Sequence, residues 1–398
     1  MSNVIIGSGA VGLSVAIALK NNRKYAKEAV IIIDKYNTPS KGTSLTNSGV
    51  MHAGLYYKKG SLKSILCKKG RSLLERWCIK NNLPINKCGK ILVPFNKRDK
   101  NRLNEIYKTA KSNGCKVQLI DYRDAKIIQP GITEKEYYLW SPQTYVFCPK
   151  TIINSFYYYL KNKNVIFITS EIGNINNDKK SIILKNGEVI NFTRIFNCAG
   201  AGAINIAQKL TGKFNNLDVL PIMGEYGTQT SGTTIKTNLY PVPDPNLPFL
   251  GVHLTPRVSG EILVGPNAIP CIKQDIQGYQ YTDIENFPKR ISYHSQLLIG
   301  NQQNYREHAI SELCLNVEKK FKSKSIQFLE YKEQGTFNLK MNRAIYGIRA
   351  QLINKVTNEF INDFMHEYID GNMHVINAVS PAFTSCLALG EYLISKID

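Results

Sequence analysis

The first 34 residues of the chain carry the feature that most constrains its fold. Two short apolar runs, Val4–Ile6 and Val30–Ile33, have the length and composition of strands buried in a parallel sheet. Between them, residues 7–12 read Gly-Ser-Gly-Ala-Val-Gly, which is the spacing G-x-G-x-x-G, and a helical pattern follows. Strand, glycine turn, helix and strand in this order predict a Rossmann-like unit that binds a dinucleotide.

Three glycines and one acid have separate tasks in such a unit. Gly7 permits a tight turn, Gly9 lets the backbone approach a pyrophosphate, and Gly12 lets the helix pack closely on the strand. The N-terminus of the helix presents free N–H groups and the positive end of its dipole to the phosphates. Asp34 ends the second strand at roughly the expected spacing of 20 residues, so it can accept hydrogen bonds from ribose hydroxyls and disfavours the 2′-phosphate of NADP.

The position of this unit favours FAD over NAD, because it stands at the start of the chain and the chain is expected to return to it at the end. Another strand, Ile195–Asn197, enters a turn with Gly200 and Gly202, which suits a second close approach of the backbone to the dinucleotide. The strand-like segment Met373–Ala378 and the helix that begins at Ser380-Pro381 supply the return. We therefore expect non-covalently bound FAD.

The remaining chain predicts an α/β protein, α+β overall, with two interleaved domains. Residues 217–275 alternate apolar and polar side chains and contain many turn prolines, as antiparallel sheets do, whereas residues 283–330 read as helical and polar. This mixture indicates a Rossmann-like FAD-binding domain interleaved with an antiparallel-sheet substrate domain. The expected FAD-binding domain comprises residues 1–90, 144–215 and 335–398, and the expected substrate domain comprises residues 91–143 and 216–334.

The composition argues against several classes of protein. The nine cysteines are odd in number, scattered and without a C-x-x-C pair, which argues against a disulfide framework and against zinc, so no metal site is expected. No apolar run reaches the roughly 18–20 residues of a membrane span, and a cleavable signal peptide would remove the glycine motif. We expect a cytoplasmic protein with free thiols.

The formal net charge is +21, and its distribution decides what it implies. The lysines are dispersed and form no Arg-rich cluster, so most of the charge is expected to belong to a solvated surface. No nucleic acid partner is expected, and an RNA-binding flavoprotein is kept as a lower-ranked alternative. Attraction to anionic lipid would place the protein peripherally on the inner face of a membrane.

Several longer blocks are more specific than the glycine motif. They are Asn47–Tyr57, Gly60–Lys63, Cys88–Lys90, Tyr240–Pro245, Pro248–Thr255, Val264–Ala268, Gly347–Gln351 and Asn377–Ala382. In these blocks, and in their order along almost the whole chain, the sequence resembles the L-2-hydroxyglutarate oxidase/dehydrogenase family of the FAD-dependent D-amino-acid-oxidase-like superfamily. The resemblance implies a D-amino-acid-oxidase-like fold and the oxidation of a small 2-hydroxy acid, above all L-2-hydroxyglutarate to 2-oxoglutarate, by hydride transfer to flavin N5. It also implies a quinone or oxygen as electron acceptor.

Three positions depart from the family pattern. Thr46 stands where the family has His before the Asn-Ser-Gly-Val block, Met223 stands where it has Arg before Gly-Glu-Tyr, and Val379 stands where it has Pro. Two of these changes remove a polar or cationic group near the expected active site. The exact 2-hydroxy acid is therefore left open.

The resemblance and the chemistry of the side chains together give the candidate catalytic residues. Neutral imidazole suits proton abstraction near pH 7, so His52 and His253 are the candidate bases, and the sequence does not choose between them. Arg349 is the candidate clamp for the substrate carboxylate, because a planar guanidinium binds a carboxylate bidentately. Lys273 and Arg257 are further cations that could hold a second carboxylate.

The N-terminus of the last helix is expected to stabilise the negative charge that reduction places at flavin N1 and O2, because its N–H groups and dipole present positive charge. The residues expected to contact FAD are Gly7, Gly9, Gly12, Asp34, Asn47, Ser48, Gly49, Gly200, Gly202, Ser380, Pro381 and Ala382. The other histidines are expected to be structural, with His374 bracing the last strand and no motif around His294, His308 or His366.

The principal alternative keeps the flavin and changes the substrate. D-amino-acid, glycine and sarcosine oxidases of the same superfamily oxidise an amine, and the glycine motif does not distinguish them from hydroxy-acid oxidases. The Pro-rich block at Tyr240–Thr255 favours the hydroxy acid. The electron acceptor and the oligomeric state are left open.

Overall fold

The computed structural model describes residues 2–37, 39, 42–245, 250–271, 287–301, 304–312 and 316–397, except for the side chains at 287–290 and 342–345. Its strands are β1 (Ser2–Ile6), β2 (Ala29–Asp34), β3 (Val50–Met51), β4 (Ile85–Asn86), β5 (Lys90–Val93), β6 (Gln118–Ile120), β7 (Tyr138–Ser141), β8 (Tyr145–Phe147), β9 (Ile166–Thr169), β10 (Ile172–Asn176), β11 (Ser181–Leu184), β12 (Val189–Asn191), β13 (Arg194–Asn197), β14 (Leu217–Ser231), β15 (Asn238–Pro241), β16 (His253–Pro256), β17 (Ile262–Gly265), β18 (Ile269–Pro270), β19 (Asn338–Asn354), β20 (Met365–Ile369) and β21 (Asn372–Asn377). Its α-helices are α1 (Ala10–Asn21), α2 (Leu62–Lys80), α3 (Lys97–Ser112), α4 (Tyr122–Ile128), α5 (Pro149–Lys161), α6 (Ala203–Thr211), α7 (Phe287–Gly300), α8 (Tyr305–Glu312), α9 (Val317–Ser325), α10 (Tyr331–Gln334) and α11 (Ala382–Ile394). Short 3₁₀ helices lie at Gly200–Gly202 and Ile326–Phe328.

A six-stranded sheet contains the N-terminus and the C-terminal strand of the chain. Its order is β20-β21-β13-β1-β2-β9, and its strands are parallel except for β20, which runs antiparallel at one edge. The central strand β1 is apolar on both faces because both faces are covered. Ile5 packs against helices α1, α5 and α11, whereas Val4 and Ile6 pack against the small antiparallel sheet β10-β11-β12.

Close backbone contacts hold the last helix in the core beside the first. A Cβ atom at Gly390 of α11 would lie 2.5 Å from the carbonyl oxygen of Ser14 in α1, and a Cβ atom at Gly70 of α2 would lie 2.5 Å from that of Thr384. Larger side chains would separate these helices. The glycines therefore let the C-terminal helix lie between α1 and α2, next to the glycine turn that follows β1.

A nine-stranded sheet forms the second large unit. Its order is β18-β14-β17-β16-β15-β5-β7-β6, with β19 paired along β14, and the pairs are antiparallel except for β15 with β5. Buried aromatic side chains such as Phe321 and Phe328 pack on one group of its strands, and Leu103 and Ile106 of α3 pack on another. A third antiparallel sheet, β3-β8-β4, is short.

Most predicted elements lie where the sequence pattern places them. Apolar residues recur at helical spacing over Leu62–Asn81, which predicts the helix that α2 forms, and the strand predicted at 373–378 is β21. The sequence pattern also predicts a helix over Arg102–Asn113. In the structure this helix, α3, begins earlier, at Lys97, because the side chain of Asn96 caps it by accepting a hydrogen bond from the backbone of Asp99 at 2.9 Å. The α/β fold class is confirmed.

The division into two interleaved domains stays a proposal, with one boundary moved. The strands of the six-stranded sheet lie within 2–34, 166–197 and 365–377, and those of the nine-stranded sheet lie within 90–141 and 217–354. The expected boundary at 335 assigned β19 to the FAD-binding domain. Because β19 pairs with β14 from Asn338 to Asn354, we place that boundary after Asn354.

Candidate active site

The glycine turn after β1 admits no side chain at two of its positions. Gly7 has a φ of +103°, and a Cβ atom there would lie 2.5 Å from the carbonyl oxygen of Cys198. A Cβ atom at Gly12 would overlap the carbonyl oxygen of Gly7. The first close contact brings the turn against the end of β13, and the second brings α1 onto the turn. The second glycine-rich turn, Gly200–Gly202, follows β13 directly and therefore lies beside the first.

Asp34 fixes this turn from the end of β2. Its carboxylate accepts hydrogen bonds from the backbone and the hydroxyl of Ser8, at 2.6 and 2.7 Å, and from the backbone of Tyr36 at 3.0 Å. Sequence reasoning assigned Asp34 to a ribose and did not identify Ser8. The sequence did contain a signal for this contact: a serine at the second position of the glycine motif has a hydroxyl that can reach the acid at the end of the next strand.

The N-terminus of α1 has the form of an anion site. Its N-cap residue is Gly9, which makes no side-chain capping bond, so the first turn of the helix keeps N–H groups for a ligand. Nearby, the backbone of Ala10 donates to the hydroxyl of Ser44 at 3.0 Å. At Gly200 no atom lies within 4 Å of an added Cβ atom, so the second turn faces open space. These features fit the pyrophosphate and adjoining groups of a dinucleotide.

The segment from Thr43 to Gly49 connects this turn to the nine-stranded sheet. The hydroxyl of Thr43 donates to the carbonyl of Ile348 at 3.1 Å, and a Cβ atom at Gly347 would overlap the carbonyl oxygen of Thr46. The Asn47 side chain holds the segment in shape: its amide donates to the carbonyl of Ser44 at 2.8 Å and its oxygen accepts from the backbone of Gly49 at 2.9 Å. Thr46, which departs from the family pattern, therefore packs against β19 next to Arg349.

The first turn of α11 positions His52. The helix begins at Ala382 after Pro381, slightly later than expected, and has no side-chain cap. The Thr384 hydroxyl accepts a hydrogen bond from the backbone of His52 at 3.1 Å and donates to the carbonyl of Val50 at 3.4 Å. The expected FAD contacts Ser380, Pro381 and Ala382 thus lie one turn away from a group that holds a candidate base.

The structure brings the three predicted catalytic residues into one cluster and adds two lysines. Burial lowers the pKa of His52 well below its usual range, and electrostatic interactions with Lys90, His253, Arg349 and Lys63 lower it further. Burial also lowers the pKa of His253 to about 3, with a smaller contribution from Lys90. Both imidazoles are therefore neutral at pH 7. We call these five residues the cationic cluster.

His253 and Lys90 lie on either side of a tyrosine in the strand order of the sheet. The His253 ring of β16 stacks on the Tyr240 ring of β15, with centroids 3.8 Å apart and an interplanar angle of 19°. The ammonium of Lys90, in β5, lies 3.8 Å from the same ring centroid, which is a cation–π contact. His253 Nδ1 lies 2.9 Å from the carbonyl oxygen of Gly251. Because a carbonyl only accepts, Nδ1 carries the proton and Nε2 keeps its lone pair.

Sequence reasoning did not identify Lys63 and Lys90 as site residues. Burial lowers the pKa of Lys90 to about 7, and burial together with the charge of Arg349 lowers that of Lys63 to about 8, against the effect of Asp363. Two signals were available. Lys90 opens an otherwise apolar strand, and both lysines end blocks in which the chain resembles the hydroxyglutarate family.

Four tyrosines complete the wall of the cluster. Burial raises the pKa of Tyr56, Tyr57 and Tyr240 and raises that of Tyr226 to about 12, so all four phenols are neutral at ordinary pH. Tyr226 also hydrogen-bonds the side chain of Ser48, and the charge of Arg349 lowers its pKa slightly. Ser48 therefore connects the segment before His52 to the wall of the cluster.

Of the two cations predicted to hold a second carboxylate, the structure describes only Arg257, which does not join the cluster. Arg257 pairs with Glu261 at 3.1 Å at the turn between β16 and β17, and Lys273 lies outside the described residues. Met223 pairs with Ile348 in the sheet, whereas Arg349 pairs with Ile222. Because directly opposite residues share a face and neighbours alternate, a cation at 223 would point away from the face of Arg349.

The remaining histidines have structural partners. Nδ1 of His374 lies 3.3 Å from the amide nitrogen of Asn197 on the adjacent strand, as expected for a brace. His294 contacts the hydroxyl of Tyr305, His308 contacts the carbonyl of Ala268, and His366 contacts the hydroxyl of Tyr392.

Comparison with known proteins decides the family. The family described as DAO, FAD dependent oxidoreductase, matches residues 3–395. The chain belongs to the FAD dependent oxidoreductase family. A mitochondrial L-2-hydroxyglutarate dehydrogenase of Caenorhabditis briggsae is 31% identical over 99% of this chain and 92% of its own length, and an L-2-hydroxyglutarate dehydrogenase of Escherichia coli strain K12 is 26% identical over the same shares. The predicted resemblance is confirmed, and FAD is the cofactor of this oxidoreductase family.

Solved structures of this family share the fold. The FAD-bound L-α-glycerophosphate oxidase of Mycoplasma pneumoniae superposes with a TM-score of 0.69 at 18% identity, covering 100% of this chain and 95% of that chain. A glycine oxidase of Geobacillus kaustophilus superposes with a TM-score of 0.71 at 13% identity, covering 99% and 93%. The D-amino-acid-oxidase-like fold is thereby confirmed. Within the described ranges no helix is both long and apolar enough to cross a bilayer, and no group of three or more His, Cys, Asp or Glu could hold a metal ion.

Proposed function

We propose that this oxidoreductase converts L-2-hydroxyglutarate to 2-oxoglutarate. The observation that carries the proposal is the cationic cluster, in which Arg349, Lys63 and Lys90 all lower the pKa of the neutral imidazole of His52, and Lys90 also lowers that of His253. Three cations suit a substrate with two carboxylates, and a neutral imidazole suits removal of a hydroxyl proton. The names of the relatives agree with this substrate.

The reaction removes two electrons and two protons from the substrate. The C2–H bond breaks and its hydrogen leaves as hydride, while the hydroxyl proton goes to a base and the C2–O bond becomes a carbonyl. Bound FAD supplies the acceptor for the hydride, which the protein cannot provide by itself. The chain must therefore bind the carboxylates, orient C2 and receive the proton.

We assign the proton to His52 or His253. Both are neutral before substrate binds, and the Nε2 lone pair of His253 is defined by the bond from Nδ1 to Gly251. His52 is fixed through its backbone by Thr384, in the first turn of α11. The entry of a dianionic substrate would raise the pKa of either imidazole, because it adds negative charge beside the ring. That shift makes the base stronger when substrate is present.

We assign the carboxylate on C1 to Arg349. The guanidinium is half-buried on β19, and its neighbours include the neutral phenols of Tyr57 and Tyr226. A planar donor in a partly desolvated site can form two parallel hydrogen bonds to one carboxylate. Gly347 and the segment around Thr46 fix the strand beside it, so the clamp is tied to the dinucleotide turn.

We propose that FAD binds along the two glycine turns and reaches the cluster past the segment Asn47-Ser48-Gly49. Gly7, Gly9, Gly12 and the turn Gly200–Gly202 would hold the phosphates. Asp34 would hold a ribose once its bonds to Ser8 rearrange. Residues Ser380, Pro381 and Ala382 would present the uncapped N-terminus of α11 to the flavin, where positive dipole favours added electron density.

The amine-oxidising alternative meets an electrostatic obstacle in this site. An amino acid carries an ammonium, which Arg349, Lys63 and Lys90 would repel, whereas a hydroxy dicarboxylate carries only negative charge. The likeness to glycine oxidase concerns the fold. RNA binding is a weaker alternative, and a gel shift that weakens steeply with salt would be its signature.

The acceptor and the location of the protein are proposed on charge alone. A net charge of +21 would attract the protein to anionic lipid, where a membrane quinone could take the electrons, and oxygen is the other candidate acceptor. Cosedimentation with anionic vesicles should fall as salt rises. Attachment that only detergent reverses would contradict a purely electrostatic peripheral association.

Turnover with a panel of substrates tests the function. The purified yellow holoenzyme would be mixed anaerobically with L-2-hydroxyglutarate, its D-enantiomer, L-lactate, glycine and D-alanine. We expect bleaching of the flavin absorbance with L-2-hydroxyglutarate above all others. Bleaching by the amino acids alone would contradict the proposed function and support the amine-oxidising alternative.

A further inference from the structure

We propose that Lys90 binds the second carboxylate of the substrate and so makes the enzyme selective for dicarboxylic over monocarboxylic 2-hydroxy acids. The inference rests on the proposed function and adds to it the residue that binds the second carboxylate of the substrate. Sequence reasoning gave this task to Lys273 or Arg257, and Arg257 instead pairs with Glu261 at the surface.

Lys90 occupies a position that disfavours an ammonium. Its residue is 1% exposed, and in the sheet it pairs with Asn238 on one side and Ser141 on the other. Its ammonium lies 3.8 Å from the centroid of the Tyr240 ring and 3.5 Å from the Tyr56 hydroxyl. Within the part of the chain that the structure describes, no carboxylate forms an ion pair with it.

A buried ammonium without a carboxylate is costly, because the cation–π contact and one long hydrogen bond replace only part of its hydration. Proteins keep such groups where a function requires them. A ligand carboxylate would supply the missing partner. The depressed pKa of about 7 has the same cause, since burial is its largest contribution and the thiols of Cys67 and Cys88 oppose it only in part.

The cluster has two cationic ends, which is the arrangement a dicarboxylate needs. The charge of Arg349 lowers the pKa of Lys63, and the ammonium of Lys63 lies 5.9 Å from the centroid of the Tyr57 ring. Lys90 and His253 form the other end through Tyr240. The pKa of His52 is lowered by all four of these groups, so His52 lies near both ends. A substrate that spans the two ends would therefore bring its C2 hydroxyl into the neighbourhood of an imidazole.

Lys63 is less suited than Lys90 to be the second contact. The carboxylate of Asp363 already raises the pKa of Lys63, and it accepts hydrogen bonds from the backbone of Leu62 and Lys63, both at 2.9 Å. Part of the charge at that end is thus compensated inside the protein. Among the described residues no carboxylate compensates Lys90 in this way, so its interaction with a ligand is the stronger one.

The experiment removes the second carboxylate from the substrate and the ammonium from the enzyme, each alone and both together. Initial rates are measured for the wild type and Lys90→Met with L-2-hydroxyglutarate and with L-2-hydroxypentanoate, which has the same number of carbons and one carboxylate. Losing a charge-assisted contact should lower kcat/KM for L-2-hydroxyglutarate by about 10- to 100-fold, mainly through KM, and leave the value for L-2-hydroxypentanoate within about threefold. Lys108→Met, which removes an exposed lysine on α3, should leave both values unchanged.

Binding of a non-reacting ligand separates this inference from the proposed function. Glutarate and pentanoate are titrated into the holoenzyme, and perturbation of the flavin spectrum reports their Kd. We expect the wild type to prefer glutarate and Lys90→Met to lose that preference, even in an enzyme that oxidises no 2-hydroxy acid. FAD content and circular dichroism of Lys90→Met and Lys90→Gln identify a folded variant for the comparison.

Two results would overturn the assignment. One is an unchanged preference for the dicarboxylate in a folded Lys90 variant, which would move the second contact to Lys63 or to a residue outside the cluster. The other is an equal loss for both substrates in Lys90→Met and Lys90→Gln with FAD still bound, which would show that Lys90 only supports the site.

Discussion

The imidazole of His253 stacks on the ring of Tyr240 with their centroids 3.8 Å apart, and its Nδ1 donates to the carbonyl of Gly251. These two contacts fix both the plane of the ring and the nitrogen that carries the proton. Since burial lowers the pKa of His253 to about 3, the ring stays neutral throughout the physiological range. Such a group can receive a proton without first having to lose one.

Replacing the base should slow the chemical step more than it weakens binding. We expect His52→Asn or His253→Asn to lower the rate of flavin reduction by about 10²- to 10⁴-fold, with the Kd for substrate changed only several-fold. Stopped-flow absorbance under anaerobic conditions measures both quantities. If one histidine is the base, its variant should show the larger loss of rate and the other variant the smaller one. If both variants reduce the flavin at rates near that of the wild type, neither histidine is the base.

Replacing the clamp should damage binding even when the charge is kept. We expect Arg349→Lys to lower kcat/KM by about 10-fold and Arg349→Ala by about 100-fold or more, because lysine cannot form the bidentate pair. Arg257→Ala, which removes the surface pair with Glu261, is the matched control and should behave as the wild type. Equal activity of Arg349→Lys and the wild type would contradict a bidentate contact.

Replacing Lys90 should stabilise the fold while it removes selectivity. Folding lowers the pKa of this lysine from 10.5 to about 7, so the unfolded chain binds more protons between those values and the lysine contributes a stability that rises with pH. The Met variant has no such group. We expect Lys90→Met to raise the free energy of unfolding by about 1–4 kcal/mol below pH 7, with the difference vanishing towards pH 10.5.

Denaturant unfolding of the two proteins at pH 6, 8 and 10 measures this difference, with Lys108→Met as the control. A Met variant less stable than the wild type at pH 6 would mean that Lys90 holds the fold together. The presence of a lysine at this buried position would then be explained by stability alone.

A side chain at the glycine turn should release the cofactor. A Cβ atom at Gly12 would overlap the carbonyl oxygen of Gly7, so Gly12→Ala must displace α1 from the turn. We expect Gly12→Ala to retain less than about a tenth of the FAD after gel filtration, measured by the ratio of absorbance at 450 nm to that at 280 nm. Gly335→Ala, where an added Cβ atom has no neighbour within 4 Å, should retain all of it.

The sequence was most informative where local geometry alone fixes a residue. The turn from Gly7 to Gly12 and the acid at Asp34 follow from the strand and helix around them, and the structure has the turn after β1 and Asp34 at the end of β2, whereas their contacts with FAD stay predictions. The domain boundary expected at 335 stays a prediction, and we move it after Asn354 for a reason that the sequence does not show. Strand β19 belongs to the nine-stranded sheet through pairing with β14, and pairing between segments more than a hundred residues apart leaves no local pattern.

The cationic cluster shows the same limit at the site. His52, His253 and Arg349 were chosen one at a time by residue type and family block, and the structure brings them together. Lys63 was counted among the dispersed lysines, and Lys90 was named only as part of a family block, because composition does not report which lysines are buried. Burial of Lys90 depends on β5, β7 and β15 meeting in one sheet.

The central claim is that the cluster serves a hydroxy dicarboxylate, and anaerobic reduction of the flavin by L-2-hydroxyglutarate tests it most directly. Stoichiometric substrate should bleach the absorbance near 450 nm and yield one equivalent of 2-oxoglutarate, and L-2-hydroxypentanoate at the same concentration should reduce the flavin far more slowly. An oxidised spectrum that persists with every L-2-hydroxy acid, together with reduction by an amino acid, would contradict the account.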